Sequence, residues 1–234
     1  KTGYAWWVRR VRHALASTTC CASTTSAASI PTGPSRRTAP RPHRQVGERP
    51  RHGAVRCAGS CLGKLPIIAE DLGELFPSVR KLLADSTFPG MKVLQFAFSG
   101  GDSEYLPHNH VKNSVVYPGT HDNTTLTDWW ENGASEKEKA AAAAYLHLTG
   151  VKPTAKELAA IRTDDVRIAL LRAALGSVAD RAIIHVRLAG SGCGSTPEYP
   201  GKLGGNWAWR AADGFAAKAL AKTIHDECSV YCRV

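Results

Sequence analysis

Acidic side chains follow two predicted strands of this sequence. Glu70 and Asp71 come directly after the apolar run LPIIA, and Asp122 follows the run SVVY after one short turn. In β/α folds, catalytic groups collect where strands end, because the loops there form the open mouth of the fold. Two carboxylates in one mouth are the minimum for glycoside chemistry: one donates a proton to the leaving oxygen, and another attacks or supports the sugar carbon. The pattern therefore indicates Glu70 and Asp122 as a candidate catalytic pair.

The same positions have simpler interpretations. A strand-end acid is often the N-cap of the next helix, and Asp71 fits that role. His121, next to Asp122, is on its own more often a structural residue. Trp129 and Trp130 could offer flat faces to sugar rings, but such residues are more often part of the core. The pattern alone leaves these alternatives open.

The elements that must position these residues alternate between strand and helix. Apolar runs predict strands, and three-to-four spacing or alanine-rich runs predict helices. The predicted strands are 65–69, 91–98, 114–117 and 181–186, and the predicted helices are 5–15, 75–83, 126–131, 135–148, 155–161, 165–175 and 211–224. This alternation indicates an α/β protein with a parallel sheet. Four core strands are too few for a closed barrel of eight, so the predicted fold class is α/β, the C-terminal part of a (β/α)8 TIM barrel, incomplete.

The net charge of +10 raises the question of an anionic partner such as nucleic acid. The charge is concentrated: seven arginines lie between residues 36 and 56, where Glu48 is the one acid. Nucleic-acid binding needs an ordered basic surface with interleaved aromatic residues, and residues 16–63 contain no Phe, Tyr or Trp. We therefore expect no nucleic-acid partner.

The remaining bulk features favour a soluble globular protein. Seven cysteines at irregular spacing indicate neither a disulfide framework nor a zinc site, so no metal and no cofactor are predicted. No apolar run is long enough to cross a bilayer, and the basic, aromatic start at 1–13 is unlike a signal peptide. We expect no membrane partner and a cytoplasmic location, or the plastid stroma in a plant or alga.

Six longer strings carry a family resemblance. They are IIAEDLG, FPGMKVLQFAF, YLPHN, GTHDN, TDWW and GNWAWR. In order and spacing they resemble the signature segments of 4-α-glucanotransferases. The resemblance covers residues 64–184, the chain from about residue 200, and the opening string GYAWWVRRVRHAL.

The resemblance implies a fold, a reaction and roles for four residues. The family has a (β/α)8 barrel and transfers α-1,4-glucan segments between maltooligosaccharides with retention, through a covalent glucosyl-enzyme. Glu70 matches the general acid/base, and Asp122 matches the carboxylate that braces the sugar and stabilises the transition state. His121 matches the sugar-binding histidine, and Asn123 belongs with it to the predicted substrate-binding set. A related α-glucan hydrolase is the nearest alternative enzyme.

The sequence departs from the family at the nucleophile. The family has an aspartate in a segment close to RIDHFRGF, and this chain has STTCCASTTSAAS at 17–29 instead. With suitable codons, a frame that starts at the third base of the Ser17 codon encodes YDVLRIDHFRGF. The nucleophile's codon would then straddle Ser23 and Thr24. With suitable codons, shifted reading frames across residues 44–51 and 187–196 also encode strings that resemble the family.

We infer that residues 16–63 and about 185–198 are frame-shifted translation. The predicted organisation is a barrel helix at 1–15, a frame-shifted and disordered segment at 16–63, and the C-terminal part of the catalytic barrel at 64–234. A chain without the nucleophile should be inactive. It would then be a catalytically dead remnant that at most binds glucan, or the product of a faulty gene reading.

Overall fold

A computed structural model of the chain describes residues 4–18, 20–24, 59–63, 65–72 and 77–185, five single positions between 204 and 213, and residues 217–233. The chain divides into two compact units, Lys1–Met91 and Lys92–Val234. Most of the predicted frame-shifted segments, at 25–58 and 186–198, lies outside the described residues.

The first unit is built on one parallel strand pair and the helix that covers it. Helix α1 (Ala5–Ser17) confirms the helix predicted at the start of the chain, and β1 (Cys21–Thr24) pairs in parallel with β2 (Ile67–Glu70). Helix α2 (Pro77–Ser86) follows. The spacing of apolar residues in α1 places Val11 and Leu15 against Leu65 and Ile67, so the helix covers the apolar run that forms β2.

Strand β1 lies where the sequence predicts disorder. Its four residues run in register with β2, with Cys21 opposite Ile67 and Thr24 opposite Glu70. Residues 59–62, near the end of the same predicted segment, are helical. Prediction from composition failed here because the strand's partner is distant in sequence, and pairing supplies backbone hydrogen bonds that local composition cannot report.

The second unit has a three-stranded sheet in the order β3-β4-β5. Its strands are β3 (Gly90–Val93), whose first two residues belong to the first unit, β4 (Ser114–Tyr117) and β5 (Arg181–Ala182), and β4 and β5 are parallel. The strand predicted over 91–98 ends at Val93, because Leu94–Phe96 turns into a 3-10 helix. An apolar run of this length does not distinguish a continuous strand from a strand that turns into helix.

Helices fill the rest of the second unit. They are α3 (Leu126–Asp128), continued by a π-helical turn at Trp129–Gly133, α4 (Glu136–Tyr145), α5 (Ala155–Ala160), α6 (Thr163–Leu175) and α7 (Lys218–Val230). Trp129 and Trp130 are only 7% and 5% exposed and lie in the hydrophobic core, as the simpler interpretation of this pair predicted. None of the helices in the described part of the chain is long and apolar enough to cross a membrane.

A buried histidine joins two loops of this unit. His110 Nε2 donates to the carbonyl of Tyr105 at 2.9 Å, and His110 Nδ1 lies within hydrogen-bond distance of Ser177 Oγ, at 2.7 Å. A neutral ring with its proton on Nε2 satisfies both contacts, with the serine hydroxyl as donor. Burial is the main reason that the pKa of His110 lies below its ordinary value, and the positive charge of Lys92 and the nearby His108 lower it further.

The lowered pKa predicts a loss of stability in mild acid. The unfolded chain takes up a proton at this histidine near pH 6.5, but the folded chain does so only at lower pH. The contribution of neutral His110 is therefore complete above about pH 6.5 and declines as the pH falls toward the folded-state pKa. Urea unfolding between pH 7 and 5 should show a decline steeper in the parent chain than in His110→Gln, by at most about 1.4 kcal/mol per pH unit. Equal slopes would contradict this assignment.

Candidate functional site

Glu70 is the last residue of β2 and lies in the first unit. Its strand is buried along Ile67, Ile68 and Ala69, whereas Glu70 is partly exposed. An apolar strand that ends in a partly exposed acid places the carboxyl at the end of the sheet. The structure thus gives Glu70 the strand-end position that the sequence predicted.

Asp71, the next residue, is a buried structural carboxylate. It is 3% exposed, and its Oδ1 accepts a hydrogen bond from the backbone N–H of Met91 at 2.6 Å. The carbonyl of Pro89 accepts from the N–H of Ala69 at 2.9 Å in the same region. Asp71 therefore ties the end of β2 to Met91 within the first unit, a role different from the helix N-cap considered above.

The contact with Asp71 leaves no room for a side chain at Gly90. A Cβ at this position would lie 2.5 Å from Asp71 Oδ2 and 2.9 Å from its Cγ. Because Asp71 is buried and held by Met91, it cannot move aside freely. Gly90→Ala should lower the free energy of unfolding by about 1–3 kcal/mol in urea titrations.

Gly133→Ala is the matched control for that substitution. A Cβ at Gly133 would meet its nearest atom, in the Trp129 ring, at an ordinary 3.7 Å. We expect its effect on unfolding to be much smaller than that of Gly90→Ala. Equal losses in the two variants would show that the crowding at Asp71 does not matter.

The other three predicted site residues share one turn of the second unit. Strand β4 leads through Pro118 and Gly119 into the turn, and His121 and Asp122 stand at its tip with their side chains 48% and 51% exposed. His121 Nε2 lies 3.2 Å from Asp122 Oδ1. An imidazole and a carboxylate are thus presented together at the surface of this unit.

Asn123 closes the turn from within. Its Oδ1 accepts hydrogen bonds from the N–H and the hydroxyl of Thr120, at 2.8 and 2.9 Å, and its own N–H donates to the carbonyl of Thr120 at 3.2 Å. Asn and Asp side chains commonly stabilise turns in this way. The carbonyl oxygen of the Asn123 side chain is thereby engaged, which leaves its amide nitrogen as the part suited to a ligand.

The helix that follows fixes the far end of the turn. The hydroxyl of Thr125, a residue only 1% exposed, accepts the N–H of Asp128 at 3.1 Å and caps α3. Thr124 donates a hydrogen bond to Asp128, and Asn132 donates to the same carboxylate. These two hydrogen bonds hold the pKa of Asp128 below its ordinary value. The helix start is therefore a rigid anchor behind His121 and Asp122.

The turn also depends on Gln95, a polar residue that the sequence motifs did not indicate. Gln95 is 5% exposed, and its Nε2 donates to the carbonyl of Thr124 at 3.0 Å. The signal was a single amide-bearing residue within the apolar run MKVLQFAF. A polar side chain in such a run must find a buried partner, because a buried polar group without one is costly.

Comparisons with known proteins identify the family. The family described as 4-alpha-glucanotransferase (Glyco_hydro_77) matches residues 34–216. The chain is 42% identical over 151 residues to the chloroplastic/amyloplastic 4-alpha-glucanotransferase DPE1 of Arabidopsis thaliana, covering 64% of this chain and 24% of the relative. It is 36% identical over 174 residues to the 4-alpha-glucanotransferase of Clostridium butyricum, covering 74% and 33%. The chain thus spans about a quarter to a third of the length of these relatives.

Solved structures agree with the sequence relatives. The amylomaltase from Streptococcus agalactiae in complex with acarbose superposes with a TM-score of 0.66 at 30% identity, over 79% of this chain and 35% of that one. The amylomaltase from Corynebacterium glutamicum, at 15% identity and a TM-score of 0.51, supports the fold alone. The predicted fold class, α/β and the C-terminal part of a (β/α)8 barrel, is confirmed. The chain belongs to the 4-alpha-glucanotransferase family.

Proposed function

We propose that this chain is part of a 4-α-glucanotransferase that transfers α-1,4-glucan segments between maltooligosaccharides with retention. In this proposal Glu70 protonates the glycosidic oxygen that leaves and later takes the proton from the attacking acceptor hydroxyl. Asp122 stabilises the positive charge that develops on the sugar, and His121 and Asn123 bind its hydroxyls. Membership of the family and the strand-end placement of Glu70 support these roles.

The family match carries the proposal for the reaction. The register of β1 on β2 indicates where the nucleophile of that reaction would stand. A retaining mechanism needs a second carboxylate about 5–5.5 Å from the acid/base. Neighbouring strands lie about 4.8 Å apart, so the residue opposite Glu70 on β1 is the natural place for that group. This residue is Thr24, whose side chain cannot serve as a carboxylate nucleophile.

The register also supports the proposed frame shift. In the alternative reading frame, the codon of the family's nucleophile straddles Ser23 and Thr24, which lie opposite Ala69 and Glu70. The codon argument selects Ser23 and Thr24, and the strand pairing selects Thr24, so the two arguments agree on position 24. We infer that a nucleophile aspartate belongs there and that the chain in its present form does not turn over substrate.

Incubation with maltotriose tests this function. The present chain should leave maltotriose unchanged, and a version with the frame restored at 16–63 and 185–198 should convert it to glucose and longer oligosaccharides. Chain redistribution would distinguish transfer from simple hydrolysis by a related α-glucan hydrolase. Redistribution by the present chain would overturn the inference about the missing nucleophile.

The alternative is a catalytically dead remnant that still binds glucan. It fits the half-exposed pair His121 and Asp122, which could contact a sugar without a nucleophile nearby. It predicts protection by maltooligosaccharides without turnover, even after the frame is restored. Some relatives are named as chloroplastic/amyloplastic proteins, which supports the plastid stroma for a plant or algal source.

A further inference from the structure

Gln95 is a buried amide at the end of β3 with one unsatisfied atom. It lies in the 3-10 turn Leu94–Phe96 and is 5% exposed. Its Oε1 is buried and has no hydrogen-bond partner among the residues that the structure describes. The orientation of the amide is set by its other contact, because the carbonyl of Thr124 can only accept a hydrogen bond and must face the nitrogen.

The contacts of Gln95 span the turn that carries the proposed sugar-binding residues. Its backbone N–H donates to the carbonyl of Pro118 at 3.2 Å, just before the turn. Its side-chain Nε2 donates to the carbonyl of Thr124 at 3.0 Å, just after the turn. One residue therefore holds both ends of the segment that presents His121 and Asp122.

The other restraints on this segment come from within it or from the helix behind it. Asn123 closes the turn onto Thr120, and Thr124 is bonded to Asp128 of the following helix. These contacts fix the shape of the turn and its attachment to α3. The hydrogen bonds of Gln95, in contrast, connect the two ends of the turn to the residues that follow the neighbouring strand β3. They therefore determine the position of the turn relative to the sheet.

The unsatisfied Oε1 of Gln95 indicates that this residue does more than stabilise the fold. A buried acceptor without a partner costs free energy, and an apolar side chain of the same shape would avoid that cost. The amide is thus a poor choice for stability but supplies the donor that reaches Thr124. We propose that Gln95 is a positioning residue that holds His121 and Asp122 in place for an α-glucan, a role that rests on the proposed function of this turn.

The test replaces Gln95 with methionine, which keeps the shape and removes both polar atoms. Hydrogen exchange measured by mass spectrometry should show amides of residues 120–124 exchanging at least about tenfold faster in Gln95→Met. Acarbose, used as the probe, should bind about tenfold more weakly in calorimetric titration. The melting temperature should change by less than about 3 °C, because the lost donor is offset by removal of the unsatisfied oxygen.

Ser177→Ala is the matched control, because it also removes buried hydrogen bonds of the same unit, one with His110 and one from the N–H of Ala179. It should lower the melting temperature without changing either exchange in 120–124 or acarbose affinity. Unchanged exchange in Gln95→Met, or an equal change in the control, would overturn the positioning role. If the parent chain fails to bind acarbose, sugar binding by this chain is refuted, and the exchange experiment still decides the role of Gln95.

Discussion

An aspartate introduced at position 24 is expected to give the chain a transfer activity on maltotriose at least about a hundredfold above the uncatalysed background, whereas the unsubstituted chain should show none. Thr24 lies opposite Glu70 in the parallel pair β1–β2. Residues that pair in register on neighbouring strands lie directly across from each other, so position 24 is next to Glu70. The spacing of the strands then suits a retaining pair of carboxylates.

Ser23→Asp is the control that makes this result specific. Ser23 lies opposite Ala69, one position along the strand from the residue that pairs with Glu70. It should give no activity, although it adds the same charge one residue away. Equal activities of the two variants would show that charge alone, and not its placement beside Glu70, matters.

A second substitution in the active variant tests the partner carboxylate. Adding Glu70→Gln to Thr24→Asp should lower the rate on maltotriose by about 10²–10⁴-fold, because the leaving oxygen then departs without a proton donor. An activated donor whose leaving group needs no proton should be much less affected. A double variant as fast as Thr24→Asp on maltotriose would remove Glu70 from the mechanism.

Local signals in the sequence were sufficient for most helices. Ser135 and Glu138 form a reciprocal capping box at the start of α4, where Ser135 was the predicted N-cap, and Thr154 and Glu157 form a second one at α5. Such caps depend on residues only three positions apart. The helix predicted at 211–224 is an exception, because α7 begins at Lys218 and continues to Val230.

Strand boundaries depended on partners that the sequence does not reveal. A strand was predicted over 181–186, of which the structure describes 181–185. Among these residues, Arg181 and Ala182 pair with β4, and the N–H of Ile183 donates one further hydrogen bond to Val116. Strand β1 was missed because its pairing with β2 joins segments more than forty positions apart. Contacts of this range decide where a strand forms and ends, whatever the local hydrophobicity.

In the candidate site, too, local sequence signals indicated some residues, whereas the importance of others depends on contacts that are distant in sequence. Motif resemblance indicated Glu70, His121, Asp122 and Asn123, and the structure brings the last three together on one turn. The residues that hold the site, such as Gln95, carry no chemistry that a motif would reveal. Their importance comes from distant backbone groups, as in the bond from Gln95 to the carbonyl of Thr124.

A second large effect, a loss of stability, is expected when the contacts of the residues that follow α7 are removed. Helix α7 ends in a Schellman turn: the N–H of Arg233 donates to the carbonyl of Cys228, and that of Cys232 to Ser229. Cys232 has a φ of 53°, the left-handed conformation that this turn requires. The turn directs Arg233 back toward the end of α6.

Arg233 satisfies backbone carbonyls that would otherwise lack donors at the end of that helix. Its guanidinium donates to the carbonyls of Leu175 and Ser177 at 2.6 Å each and to that of Ala179 at 3.0 Å. The last carbonyls of a helix have no partner within the helix, and a planar guanidinium can serve several of them at once. Arg233→Ala should therefore lower the free energy of unfolding by about 2–4 kcal/mol in urea titrations.

Arg172→Ala is the appropriate comparison, because Arg172 also connects α6 to α7 through a charged contact. Its guanidinium lies 2.7 Å from Glu227, but the arginine side chain is 54% exposed. Ion pairs in contact with solvent contribute little, so the loss should stay below about 1 kcal/mol. Equal losses of stability in Arg172→Ala and Arg233→Ala would show that the ion pair with Glu227 holds α7 in place. A larger loss in Arg233→Ala would show that the contacts of Arg233 with backbone carbonyls do so.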